Sequence, residues 1–120
     1  MATFSKVLLS GSTQGKGIAL DSTTSAATVH ATGSSSSIID EVWVWAHNTS
    51  ATAQEISIRY GGTTDPTNII KVTIPSKAGT LLVVPGLVLT GTGSAANTIT
   101  ALPTTTANAV ALHGYVNRIT

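Results

Sequence analysis

The chain has 120 residues, of which 42% are hydrophobic, only 9% are charged and more than a quarter are Ser or Thr. A soluble domain averages about 25% charged residues, so solubility here must rest on hydroxyls, amides and backbone, a surface suited to packing among copies or partners. The lack of cysteine excludes disulfides, thiolate metal sites and a Cys nucleophile, and a net charge of +1 provides no field to attract nucleic acid or anionic lipid.

In chain order, the hydrophobic pattern is that of strands. No segment sustains apolar residues at i, i+3, i+4 and i+7, so no helix is expected. Residues 1–5 precede the pattern and are expected to form an N-terminal arm, with a single domain over 6–120. A first strand is expected over 6–10, a Gly-rich turn over 11–17, an extended segment over 18–21 and a strand over 27–31. Residues 38–48 give the clearest strand, with Val42, Val44 and Ala46 on one face and Trp43, Trp45 and His47 on the other. Bulk on both faces predicts a central strand covered on both sides.

Beyond a polar turn, Ile56, Ile58 and Tyr60 alternate with Glu55, Ser57 and Arg59, and Ile70, Val72 and Ile74 alternate with Lys71 and Thr73. Residues 80–84 and 87–90 read as two strands split by Pro85 and Gly86. A strand over 98–102 and a closing strand over 109–118 complete the pattern, the latter with Val110, Leu112 and Val116 opposing Ala111, His113 and Tyr115. Eight to ten short strands with regular turn signals predict an all-β fold, an antiparallel β-sandwich of jelly-roll type. So few charges leave little to protect strand edges. The edges are therefore expected to be covered by loops or neighbouring subunits, which favours a homo-oligomer. No apolar run approaches the roughly 20 residues of a membrane span, and residues 1–6 lack the regions of a signal peptide.

Catalytic and ligand motifs are weak throughout. The segment from Gly11 to Gly17 has three residues between Gly11 and Gly15 and Gly17 after Lys16, where a phosphate loop needs four and a Ser or Thr. It reads as a hairpin turn. His30, His47 and His113 fall on separate strands without metal-ligand spacing and are expected to be structural. Asp40 and Glu41 are adjacent on a strand, so they point to opposite faces and cannot act as a carboxylate pair. Ser and Thr lack a Gly-x-Ser-x-Gly elbow. Neither a catalytic, a metal nor a cofactor site is expected. Trp43 and Trp45 share a face: exposed, they would form a stacking platform for a sugar or base; buried, they would be the heaviest part of the core. With five aromatic residues in all, burial is the expectation. The sequon at Asn48, Thr49 and Ser50 reads as chance.

The order of several segments carries a further signal. These are Asp40 to Asn48, Tyr60 to Pro66, Ile74 to Gly79, Val84 to Leu89 and His113 to Ile119. Together they resemble a group of small virion structural proteins of tailed bacteriophages. The resemblance implies a capsid decoration, or cement, protein: a homotrimer on the outer capsid surface that contacts the major capsid protein and bridges capsomers, without catalysis, nucleic acid or membrane. Interface elements are expected at the N-terminal arm, with Ala2, Thr3, Phe4 and Lys6, and on the closing strand, with Tyr115 and Arg118. The alternatives are a receptor- or glycan-binding fibre or tail module, which would place Trp43, Trp45 or Tyr115 on the surface, and a neck or tail component. A small hydrolase is a further alternative, without a recognisable constellation.

Overall fold

Alternation of apolar and polar side chains gives each strand two unlike faces, and burying the apolar one requires a second layer. In a computed structural model, which describes residues 2–120, that second layer is another sheet. The nine strands are β1 (Phe4–Leu8), β2 (Ile18–Ala19), β3 (Ala27–Ala31), β4 (Ile39–Asn48), β5 (Gln54–Tyr60), β6 (Ile69–Ile74), β7 (Leu81–Thr90), β8 (Thr98–Pro103) and β9 (Val110–Ile119). The described residues contain no helix. One sheet has the order β1-β9-β4-β7, with β2 also paired to β9; the other has the order β3-β8-β5-β6. Every pairing is antiparallel, and the pairs β5–β6, β4–β7, β3–β8 and β1–β9 nest outward from one hairpin. The fold is an all-β antiparallel sandwich.

The core is the inner set of the alternation. Val42, Val44 and Ala46 of β4 and Val110, Leu112 and Val116 of β9 meet Ile56 and Ile58 of β5, Ile74 of β6, and Ile99 and Ala101 of β8. Each fully buried Leu or Ile contributes about 2 kcal/mol of burial. Tyr60, at the end of β5, reaches across to the other sheet and donates its hydroxyl to the Leu87 carbonyl at 2.8 Å. Burial, aided by the negative charge of Asp40, pushes this phenol well above the ordinary tyrosine range.

One strand edge is covered from within the chain. Ser10 and Gly11 run beside β3: Gly11 N–H donates to Val29 O, and Ala31 N–H donates to Ser10 Oγ at 2.6 Å. A Cβ on Gly11 would lie 1.9 Å from Thr28 O, so only glycine allows this approach.

Two expectations are corrected. The segment expected to be an arm belongs to the sheet from its fourth residue. Phe4 pairs with Ile119, and Thr3 and Thr120 exchange backbone hydrogen bonds of 2.9 Å. The ten-residue β9 is long enough to hold β1 and β2 end to end on one side, which a reading of local alternation could not reveal. Met1 lies outside the described residues. The two strands expected around Pro85 are one strand, β7, with irregular register near Trp43 and Trp45. Because β7 is an edge strand, Pro85 needs no N–H for a further neighbour.

Candidate functional site

The outward set of the same alternation builds the most distinctive surface. On β4 the residues Glu41, Trp43, Trp45 and His47 point away from the core. The register sets Trp43 beside Tyr115 and Trp45 beside His113 of β9, and Glu41 beside Asn117. On the far side of β9, β1 adds Leu8 beside Tyr115, Lys6 beside Asn117 and Phe4 beside Ile119. On the other side of β4, β7 adds Leu82 beside Trp45 and Val88 beside Glu41. Phe4, Leu8 and Val88 are 71%, 55% and 59% exposed, and Leu82 and Ile39 are also exposed.

The rings at the centre form a connected row. Trp43 and Trp45 stack with centroids 6.3 Å apart, and Trp45 stacks on Tyr115 at 6.0 Å. His47 and His113 lie 5.0 Å apart at one end. The Trp43 indole sits over Gly86 of β7, where a Cβ would come within 2.7 Å of Cζ2. Gly86 has φ of 75°, a conformation that glycine adopts without strain. The expectation that Trp43 and Trp45 fill the core is thus corrected: both are half-buried on the outer face, because the β4 parity that buries Val42 and Val44 turns them outward. β4 is central within its sheet, but sheet packing covers only its inner face.

Charge on this face is sparse and already engaged. Glu41 accepts hydrogen bonds from Trp43 Nε1 at 2.7 Å and Asn117 Nδ2 at 3.1 Å, which together hold its carboxyl below the usual range. Lys6 Nζ lies 4.6 Å from the centre of the Tyr115 ring, in cation–π contact. The opposite face of the sandwich is different in kind. There Ser57, Arg59, Asp65, Lys71 and Thr104 line an open groove of about 390 Å³. Lys71 and Asp65 approach to 3.7 Å, both largely exposed, in an ion pair that solvent weakens.

The adjacent acids diverge as expected, Glu41 outward and Asp40 inward. Asp40 is 1% exposed and accepts from Arg118 Nε at 2.8 Å, Arg118 Nη2 at 2.9 Å and His30 Nε2 at 2.8 Å. Burial alone would raise the Asp40 carboxyl, but the hydrogen bonds from Arg118 and His30 and the charge of Arg118 hold it below the usual carboxylate range. His30 Nδ1 accepts from Ser10 N–H at 3.0 Å, so Nε2 carries the ring proton and donates to Asp40. This network joins β3, β4, β9 and the residue 10 crossing. The three histidines do not converge, and among the described residues no set of three potential metal ligands forms. Asn48 is buried: its Nδ2 donates to Thr52 O and Ile74 O while its Oδ1 accepts from Ser50. The sequon amide therefore organises a turn.

Of the residues expected at an interface, Phe4, Lys6 and Tyr115 share the outer face. Thr3 lies at its margin beside Thr120, and Ala2, exposed, precedes it. Arg118 faces the opposite way and is committed to Asp40, so it does not contribute to this face. Glu41, Asn117, Leu8, Leu82 and Val88 were not anticipated there. Their parity is readable in the sequence, but the register that makes them neighbours is not. Comparison with protein-family models, with curated proteins and with solved structures finds no match to the chain.

Proposed function

We propose that this chain is a non-enzymatic virion structural protein of the capsid decoration type. In this reading it is a jelly-roll sandwich that assembles as a homotrimer, binds the outer surface of a tailed-phage shell through the major capsid protein and bridges capsomers. The observation that carries the reading is the broad outer face of the β1-β9-β4-β7 sheet, rich in apolar and aromatic side chains, on a protein with few charges. Such a face marks an interaction surface. The nested strand order supports the jelly-roll assignment, and the segment order resembling small phage virion proteins supports the assignment to a capsid. The mechanism is clamping: many modest contacts, repeated by symmetry, add through effective concentration and resist outward pressure on the shell.

The test is co-sedimentation of the purified protein with shells of its own phage. Saturable binding with a fixed ratio to capsomers is expected. A protein that stays in the supernatant at all shell concentrations overturns the reading. The surface position of Trp43 and Trp45 favours the glycan-binding module as the second reading. That module requires saturable quenching of tryptophan emission by an oligosaccharide, in the absence of shells.

A further inference from the structure

We infer that the outer face of the β1-β9-β4-β7 sheet is closed by a second copy of this chain, with Trp43, Trp45 and Tyr115 at the centre of the contact. The inference rests on the reading of the protein as a symmetric assembly and names the surface through which the copies meet.

Size is the first argument. Ten-residue strands such as β4 and β9 span about 30 Å. Four strands at roughly 4.8 Å spacing, with side chains at each margin, give a width of about 20 Å. The footprint is about 600 Å², close to the roughly 800 Å² per partner of a standard protein interface. A small ligand takes a concave site. Here the apolar margin of Phe4, Leu8, Leu82 and Val88 extends beyond the rings on both sides, which fits a protein partner and exceeds what a sugar ring covers.

Charge is the second. In one rank across the sheet, Lys6, Asn117 and Glu41 stand side by side. The face thus carries one cation on its β1 edge and one anion on β4, one strand in from the β7 edge. A copy that lies across the face and sets its Lys6 near Glu41 of its neighbour buries neither charge without an opposite. The groove face of the sandwich, with Lys71 and Asp65 exposed to water and Arg59 half-buried, has the composition of a surface left in solvent.

Timing is the third. Exposed apolar and aromatic side chains grouped on one face are an aggregation liability on a free protein. The cover must exist before any shell is met, and the partner present from synthesis onward is the chain itself.

The experiment is light scattering across a dilution series on the wild type and on the double variant Leu8→Lys, Val88→Lys. Both side chains are exposed, so the core is unaltered. A wild-type mass that is a multiple of 12.1 kDa and holds on dilution is expected. The variant should fall to the mass of one chain with an unchanged far-UV spectrum, and acrylamide should quench its tryptophans several-fold more strongly. Phe4→Glu with Leu82→Glu, at other points of the margin, gives the same readout if the first variant does not fold. A variant that keeps the wild-type mass overturns the inference, as does a wild type with the mass of one chain. A single-chain wild type that still co-sediments with shells removes the inference and the homotrimer but keeps shell binding; an oligomer that ignores shells keeps the inference and overturns shell binding.

Discussion

Replacing Asp40 by Asn tests whether the buried network holds the sandwich together. The carboxylate accepts three hydrogen bonds, two from Arg118 and one from His30. An amide of the same shape offers one acceptor oxygen, and its NH2 must face a donor whichever way it turns. Arg118 is 30% exposed and can turn to water, whereas His30, 1% exposed, cannot. Breaking a buried ion pair by removing one partner costs about 3–5 kcal/mol. Since Arg118 keeps access to solvent, the expected loss lies near the lower end, about 3 kcal/mol, out of the roughly 5–15 kcal/mol typical of a domain.

The loss has a pH signature. The folded Asp40 carboxyl is held below its unfolded value, so the native state refuses a proton that the unfolded chain accepts. Its stabilising contribution is therefore complete above the unfolded value of about 3.9 and is lost as pH falls through the lower folded value. Urea denaturation with linear extrapolation should show Asp40→Asn far below wild type at neutral pH, with the two converging in strong acid. Arg118→Met should also destabilise, and the double variant should lose less than the sum. A difference within about 0.5 kcal/mol at neutral pH, the range of an inconsequential surface change, would refute the reasoning. So would a gap that persists unchanged into strong acid.

Two further outcomes follow from the aromatic face. Gly86→Ala introduces a Cβ at 2.7 Å from the Trp43 indole at a φ of 75°. It should shift tryptophan emission and cost about 1–2 kcal/mol from the left-handed conformation alone, and an unchanged spectrum and denaturation midpoint would refute it. Glu41 accepts the Trp43 indole proton, so that NMR resonance should titrate with a midpoint below the ordinary glutamate value of 4.5. Glu41→Gln should abolish the titration. A midpoint at or above 4.5 would mean that the indole and Asn117 do not favour the ionised form.

Much of the fold was legible because strand alternation is a local property. Ile56 and Ile58 against Ser57 and Arg59, or Val110 and Leu112 against Ala111 and His113, declare their faces without a partner. What alternation does not reveal is which face meets another layer. On β4 both faces carry bulk, and Trp43 and Trp45 outweigh Val42 and Val44, yet the valines are inside. The small inner residues suit a strand crossed by a second sheet, while the indoles gain area by lying across Gly86 and against Tyr115. Residues distant in the chain were equally hidden. Nothing near His30 suggested Asp40 or Arg118 as partners, because their meeting depends on β3 and β9 both lying close to β4. β1 was missed at Phe4 for the same reason, since its partner is the last strand.

The closing of the sheet by that last strand governs when the protein can become native. β9 is inserted between β1 and β4, so β1 has no partner in its sheet until Val110–Ile119 has been made. Among the described residues only the β5–β6 hairpin joins strands that are consecutive in sequence. Such nonlocal pairing slows folding. A ribosome-bound chain must carry β4, with its two tryptophans and no hydrogen-bonded neighbour on the β9 side, until β9 is made. Native pairing is therefore expected only once β9 has left the ribosome, and a chain cut before β9 loses the strand that links β1 to β4 in this sheet.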